Sequence, residues 1–311
     1  MQKLRLKASA AAAAAVAALM FGTPAHAEPV IGLTTTNALL TFDSASSTNG
    51  SALSTITGLQ GVNERILSID LRPTTGVLYG VSTDDKVYSL ASTGQATFIG
   101  GLGAALASDV IGIDFNPAAD LAGGASLRVV SSTGQNIAYN VATATGTVVT
   151  PIQASFAAVA YANNDLDATT GTALYYIDTA SDTLKVAAAN FNAPTITTVG
   201  GLGFNANGVA GFDIGTSGMA FAALTDADTG KSGLYSISLA TGAASFVGAF
   251  GIGGNTAIAP PLVGLTLLTA PIPAPSTAPI PEPSSYALML AGLLGVGWVA
   301  RRRTGARASR A

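Results

Sequence analysis

From Val30 to Thr269 the chain is a succession of short runs in which apolar and polar residues alternate, separated by Thr-Gly, Ser-Gly and Asn-Gly turns. A period of two is the mark of a half-buried strand, and no stretch carries the 3.6-residue period of a useful helix, so the pattern predicts an all-β body. The runs also recur in a fixed order of four. Residues 66 to 100 read ILSIDLRP, VLYGVST, KVYSLA, ATFIG; residues 110 to 151 read VIGIDFNP, SLRVVSS, NIAYNVA, TVVTP. Residues 156 to 201 read FAAVAYAN, ALYYIDT, TLKVAAA, ITTVGG, and residues 209 to 249 read VAGFDIGT, MAFAALT, GLYSISL, ASFVGA. The first run of each unit places Asp70, Asp114, Tyr161 and Asp213 in one column, at spacings of roughly 40 to 50 residues. Four strands at that period predict β-propeller blades. The N-terminal piece holds only three strands, from Val30, Asn37 and Ala52, and VGLTLLT from Val263 supplies the fourth, with Thr266 in the aspartate column. Four internal blades and one blade shared between the termini make five and leave no open sheet edge. Six blades would require one hidden in a long loop.

The two ends read as addresses. Lys3, Arg5 and Lys7 precede an uncharged run from Ala8 to Phe21, and Ala25-His26-Ala27 places Ala25 and Ala27 where a signal peptidase reads small residues. Residues 1–27 are therefore expected to be a signal peptide, leaving a mature start at Glu28. The propeller is expected over 28–268. Six prolines then make 269–283 a stiff spacer ending in Pro281-Glu282-Pro283. In 284–311 an apolar run to Ala300 meets Arg301, Arg302 and Arg303, a basic stop expected to stay cytoplasmic.

Composition removes chemistry. The chain has no cysteine and one histidine, His26, which lies in the leader. Disulfides, thiolate metal sites, histidine bases and Ser-His-Asp triads are excluded from the mature body. Only 10% of residues are charged, and between positions 28 and 280 six are basic and sixteen acidic, a net charge of −10. An acidic body is a poor match for nucleic acid, so no nucleic-acid partner is expected.

Oxygen chemistry remains. Asp70, Asp114 and Asp213 are the candidate site, because equivalent first strands border one channel. Converging carboxylates raise each other's pKa or bind a hard cation such as Ca2+; otherwise each accepts a hydrogen bond from a neighbouring blade's backbone and fixes register, the reading the sequence favours. No catalytic residue and no cofactor beyond that possible Ca2+ is expected. The recurring Tyr79, Tyr88, Tyr175 and Tyr235 read as packing between blades, and the body has no tryptophan, Trp298 lying in the tail. The polar loop at Asn163, Asn164, Asp165 and Asp167, and that at Asp226 and Asp228, read as solvated turns. The paired Gly100-Gly101-Leu102-Gly103 and Gly200-Gly201-Leu202-Gly203 read as repeat turns.

With its motif, short helix and basic stop in order, the tail resembles the PEP-CTERM sorting signal. That resemblance implies an exosortase-type processing enzyme, cleavage near Pro281-Glu282-Pro283, and passage to the cell surface or matrix. The body resembles a family of secreted repeat proteins of unknown function, through Gly112-Ile113-Asp114-Phe115-Asn116-Pro117, the pairs Leu78-Tyr79, Leu174-Tyr175 and Leu234-Tyr235, and the turns Thr93-Gly94, Thr145-Gly146 and Thr241-Gly242. The expectation is a non-catalytic exported protein of the surface or matrix, with an extracellular polysaccharide or surface protein as partner. A carboxylate-dependent enzyme on extracellular polysaccharide and a membrane-anchored periplasmic module are the alternatives.

Overall fold

The structure is a computed structural model that describes residues 27–254 and 256–268. Residues 1–26 of the expected leader, Ala25 among them, and the tail with Pro281, Glu282, Pro283, Arg301, Arg302 and Arg303 lie outside the described residues. Among the described residues no helix is long and apolar enough to cross a membrane.

Five four-stranded antiparallel sheets form the blades of a propeller. The first joins β1 (Pro29–Thr34), β2 (Ala38–Asp43) and β3 (Ser54–Thr55). Next come β4 (Ile66–Leu71), β5 (Leu78–Ser82), β6 (Lys86–Leu90) and β7 (Ala96–Gly101), then β8 (Ile111–Phe115), β9 (Ser126–Ser131), β10 (Asn136–Asn140) and β11 (Thr145–Val148). The fourth blade is β12 (Phe156–Tyr161), β13 (Leu174–Asp178), β14 (Thr183–Ala187) and β15 (Thr197–Gly201); the fifth is β16 (Ala206–Ile214), β17 (Ala220–Asp226), β18 (Ser232–Ile237) and β19 (Ala244–Ala249). A hairpin of β20 (Gly251–Ile252) and β21 (Ala257–Ile258) follows, and β22 (Leu262–Leu267) closes the ring by pairing antiparallel with β1, Thr266 opposite Ile31.

Burial grades from the axis outward, which accounts for the sequence pattern. Strands β4, β8 and β12 are buried at every position, because an innermost strand is covered by its own blade and by both neighbours. Outer strands such as β11 are mostly exposed. Five hydrophobic clusters fill the five junctions, one between each pair of blades. Tyr79 packs edge-on against Phe115 of the next blade, with ring centroids 5.2 Å apart.

Close approach at the axis depends on small residues two positions before the central column: Ser68, Gly112, Ala158, Gly211 and Gly264. A Cβ on Gly112 would lie 2.6 Å from the Val159 nitrogen, and one on Gly211 would lie 2.6 Å from the Gly264 carbonyl carbon. Interiors this dense leave no room for a methyl group. The one helix among the described residues, α1 (Pro117–Leu121), explains the Asn-Pro pair of the third unit: Asn116 caps it by accepting from the Ala119 N–H, and Pro117 takes the first turn. Its Asp120 then ties back to the second blade through Arg72 Nε at 2.7 Å and the Thr74 N–H at 3.1 Å.

Three sequence readings shift. In the fourth blade Ala160 pairs with Tyr175 as Asp70 pairs with Tyr79, and Tyr161 pairs with Leu174 as Leu71 pairs with Leu78. The central column therefore contains Ala160, and Tyr161 stands in the position of Phe115. Gly100, Gly101, Gly200 and Gly201 belong to strands β7 and β15, and Leu102 and Leu202 are buried anchors. Asn164 is buried where a solvated turn is expected.

Candidate functional site: buried carboxylates at the axis

Asp70, Asp114 and Asp213 occupy the penultimate positions of β4, β8 and β16, and each is no more than 2% exposed. One oxygen from each lies within 4.8 Å of the others. The backbone explains their placement. The inner edge of an innermost strand has no further strand to pair with, so its buried N–H groups need acceptors from elsewhere.

The column supplies them, blade to blade. Asp70 Oδ2 accepts the Phe115 N–H at 2.7 Å, and Asp114 accepts from the Tyr161 backbone. Asp213 Oδ2 accepts the Leu267 N–H at 2.6 Å. Thr266 repeats the bond with a hydroxyl, its Oγ1 accepting the Leu71 N–H at 3.3 Å while lying 3.0 Å from both Asp70 Oδ1 and Asp213 Oδ2. Four of the five junctions thus share one bridge. At the fifth, Ala160 has no acceptor, and the Ile214 N–H bonds to Asp213 Oδ1 at 2.6 Å instead. The carboxylates converge on the axis and bridge the blades at once.

Crowding of three acids in an apolar centre sets their protonation. Burial pushes the Asp70 carboxyl well above the usual range, and the charge of Asp213 adds to it. Burial does the same to Asp114, followed by Asp70 and Asp213. Burial pushes Asp213 up to about 6, held back by the N–H groups of Leu267 and Ile214 and by the Thr266 hydroxyl. Burial and crowding together favour the protonated form of all three carboxyls. A hard cation would compete with those protons for the same three oxygens.

Other polar centres are spent on structure. Glu64 accepts from Ser82, Lys86, Tyr88 and the Gly61 N–H. Arg128, 3% exposed, is held by Tyr161, Asn136 and Asn192, and pins the third blade to the fourth. The loops at Asp165 and Asp167, and at Asp226 and Asp228, are closed by their own carboxylates accepting backbone N–H groups. Sequence reasoning missed the small-residue column and the double service of Asp213. The first was legible as Ser68, Gly112, Ala158, Gly211 and Gly264 at constant offset from the column; the second had no sequence signal.

A family model described as "Domain of unknown function (DUF4394)" matches residues 38–259, and the PEP-CTERM protein-sorting motif matches residues 279–303. No curated protein sequence matches the chain. Similar solved structures include a Lactobacillus plantarum protein, 16% identical over 76% of this chain and 70% of that one, with TM-score 0.38. A Bacteroides thetaiotaomicron protein of unknown function is 14% identical over 80% and 68%, with TM-score 0.47. U3-55K is 12% identical over 70% and 59%, with TM-score 0.39.

Proposed function

Since the chain belongs to the family described as "Domain of unknown function (DUF4394)" and carries a PEP-CTERM sorting motif, we propose that it is a non-catalytic exported protein with a binding or structural role in an extracellular polysaccharide matrix. The sorting motif implies export and an exosortase-type enzyme. The observation that carries the non-catalytic reading is the commitment of the axial carboxylates to backbone N–H groups of neighbouring blades. Raised carboxyl pKa values also mark acid-base sites. Here the acids are 2%, 2% and 0% exposed, and a glycosidic bond could not come between them.

Two measurements test this reading. The protein incubated with its host's own extracellular polysaccharide is expected to release no sugar; release abolished by Asp114→Asn would make it an enzyme. Intact mass of the surface form from the native host is expected to show a start at Glu28 and loss of the residues after Pro283. A surface form that retains Trp298 would favour a permanent anchor.

A further inference from the structure

The outer part of the fifth blade carries a feature the axial cluster does not explain. Between β18, β19 and the β20–β21 hairpin lies a groove of about 670 Å³, inside the roughly 300 to 1,000 Å³ of small-ligand clefts. Its apolar side is unusually open. Phe246 is 62% exposed and Ile258 85% exposed, in a chain whose large apolar side chains are otherwise mostly buried. Neither ring of the aromatic pair is loose: Tyr235 stacks on Phe204 at 4.8 Å and meets Phe246 edge-on at 5.4 Å, so Phe246 is presented on a fixed support.

The polar side is under-used. Lys231 lines the groove and takes part in no ion pair among the described residues. Asp226 spends Oδ1 on the N–H groups of Asp228 and Thr229. Ser232 also lines the groove, and its hydroxyl and that of its cross-strand partner Thr225, a residue 5% exposed, have no hydrogen-bond partner. Buried hydroxyls without partners are rare and carry a free-energy cost. Asp226 lines the groove together with Tyr235 and Phe246, and burial and that carboxylate both raise the Tyr235 phenol.

An exposed aromatic face beside one ammonium and one carboxylate suits a ligand with apolar C–H faces and many hydroxyls. One positive and one negative group cancel, so the groove selects neither anions nor cations, while the net charge of −10 over residues 28 to 280 opposes an acidic polymer. We propose that this groove binds a neutral polysaccharide, with a sugar ring resting on Phe246 and its hydroxyls held between Asp226 and Lys231. The inference rests on the non-catalytic reading above and names the polymer's chemical class.

Affinity electrophoresis of the full chain tests it, in gels containing galactomannan, a neutral β-glucan, dextran or polygalacturonate. Retardation by at least one neutral polymer and not by polygalacturonate is expected. Phe246→Ala should lower the affinity about tenfold without changing the melting temperature, because that ring is largely exposed. Ile258→Ser, in the hairpin that lines the groove, should weaken retardation as well. No retardation by any neutral polymer, retardation by polygalacturonate alone, or equal retardation of the wild type and Phe246→Ala would overturn the proposal. So would tight binding of an apolar peptide that neutral polymers do not displace. Sugar release by the wild type, with retardation still dependent on Phe246, would remove the non-catalytic reading and leave the ligand class standing.

Discussion

Asp213 and Leu267, which belong to the last internal blade and the closing strand, are joined by a 2.6 Å hydrogen bond from backbone N–H to carboxylate. The other oxygen of Asp213 accepts the Ile214 N–H at 2.6 Å. One buried side chain therefore satisfies two backbone donors, a task shared elsewhere in the ring between neighbouring column residues. Asp213→Ala would orphan both donors, whereas after Asp70→Ala the Leu71 N–H, which also bonds to Asp70, keeps Thr266 Oγ1 and the Phe115 N–H alone is orphaned. At about 1 to 3 kcal/mol per buried unsatisfied donor, urea denaturation should find Asp213→Ala the more damaging. Asp70→Asn keeps an acceptor and should fall well short of Asp70→Ala.

Axial packing makes a sharp contrast between glycines. Gly112→Ala and Gly211→Ala push a methyl group against the next blade's backbone and should each cost about 1 to 3 kcal/mol or more. A Cβ on Gly101 meets nothing within 4 Å, so Gly101→Ala should stay within about 0.5 kcal/mol of wild type. Thermal melts of the three variants would separate them. Equal effects would mean the blades are not in contact at the small-residue column.

Closure depends on β22. Leu262, Leu265 and Leu267 are at most 1% exposed, and Thr266 bonds to two other blades. A chain ending at Pro261 should lose its cooperative transition, as apolar surface and the edge of β1 open together. A truncated chain that melts like the full one would contradict the shared blade.

Away from the axis, Asp178 shows the opposite electrostatics. Burial pushes its carboxyl up, but the Lys185 ammonium at 2.7 Å, Ser155, Ser181 and the Ala180 N–H together hold it down at about 2. With an unfolded value near about 3.9, this group stabilises the fold above that pH and the contribution is lost as pH falls through about 2. Lys185→Met leaves a buried carboxylate unpaired and should cost about 3 to 5 kcal/mol at neutral pH.

The propeller was legible because each blade repeats the same order of strands, and because an innermost strand buried on all sides must be nearly continuous in apolar residues. Thr266 was legible in the aspartate column for the same reason. Tyr161 was misplaced because the fourth blade lacks an acid. With no carboxylate to anchor the comparison, the polar Tyr161 was matched to Asp114, although its aromatic ring corresponds to Phe115. That the carboxylates both face one another and bridge the blades depends on side-chain direction at the axis, which a period of two does not reveal. The groove beside Phe246 was hidden because Tyr235 repeats at a packing position, and only the third dimension shows that the strand beyond it is uncovered.

The central claim is that Asp114 belongs to a buried structural bridge that favours its protonated carboxyl. Its carboxyl, like those of Asp70 and Asp213, is raised in the folded chain, so between about pH 3.9 and the folded values the native state binds more protons than the unfolded state. This contribution is complete below about pH 3.9 and declines as pH rises through the folded values, by about 1.4 kcal/mol per pH unit for each proton retained. Asparagine at 114 cannot ionise. The decisive measurement is the difference in unfolding free energy between wild type and Asp114→Asn, by urea denaturation from about pH 4 to about pH 8, with and without calcium. The account predicts that the difference moves steadily in favour of Asp114→Asn as pH rises, with calcium making no change. A difference that moves toward wild type with rising pH, or a calcium-induced stabilisation that Asp114→Asn abolishes, would contradict it.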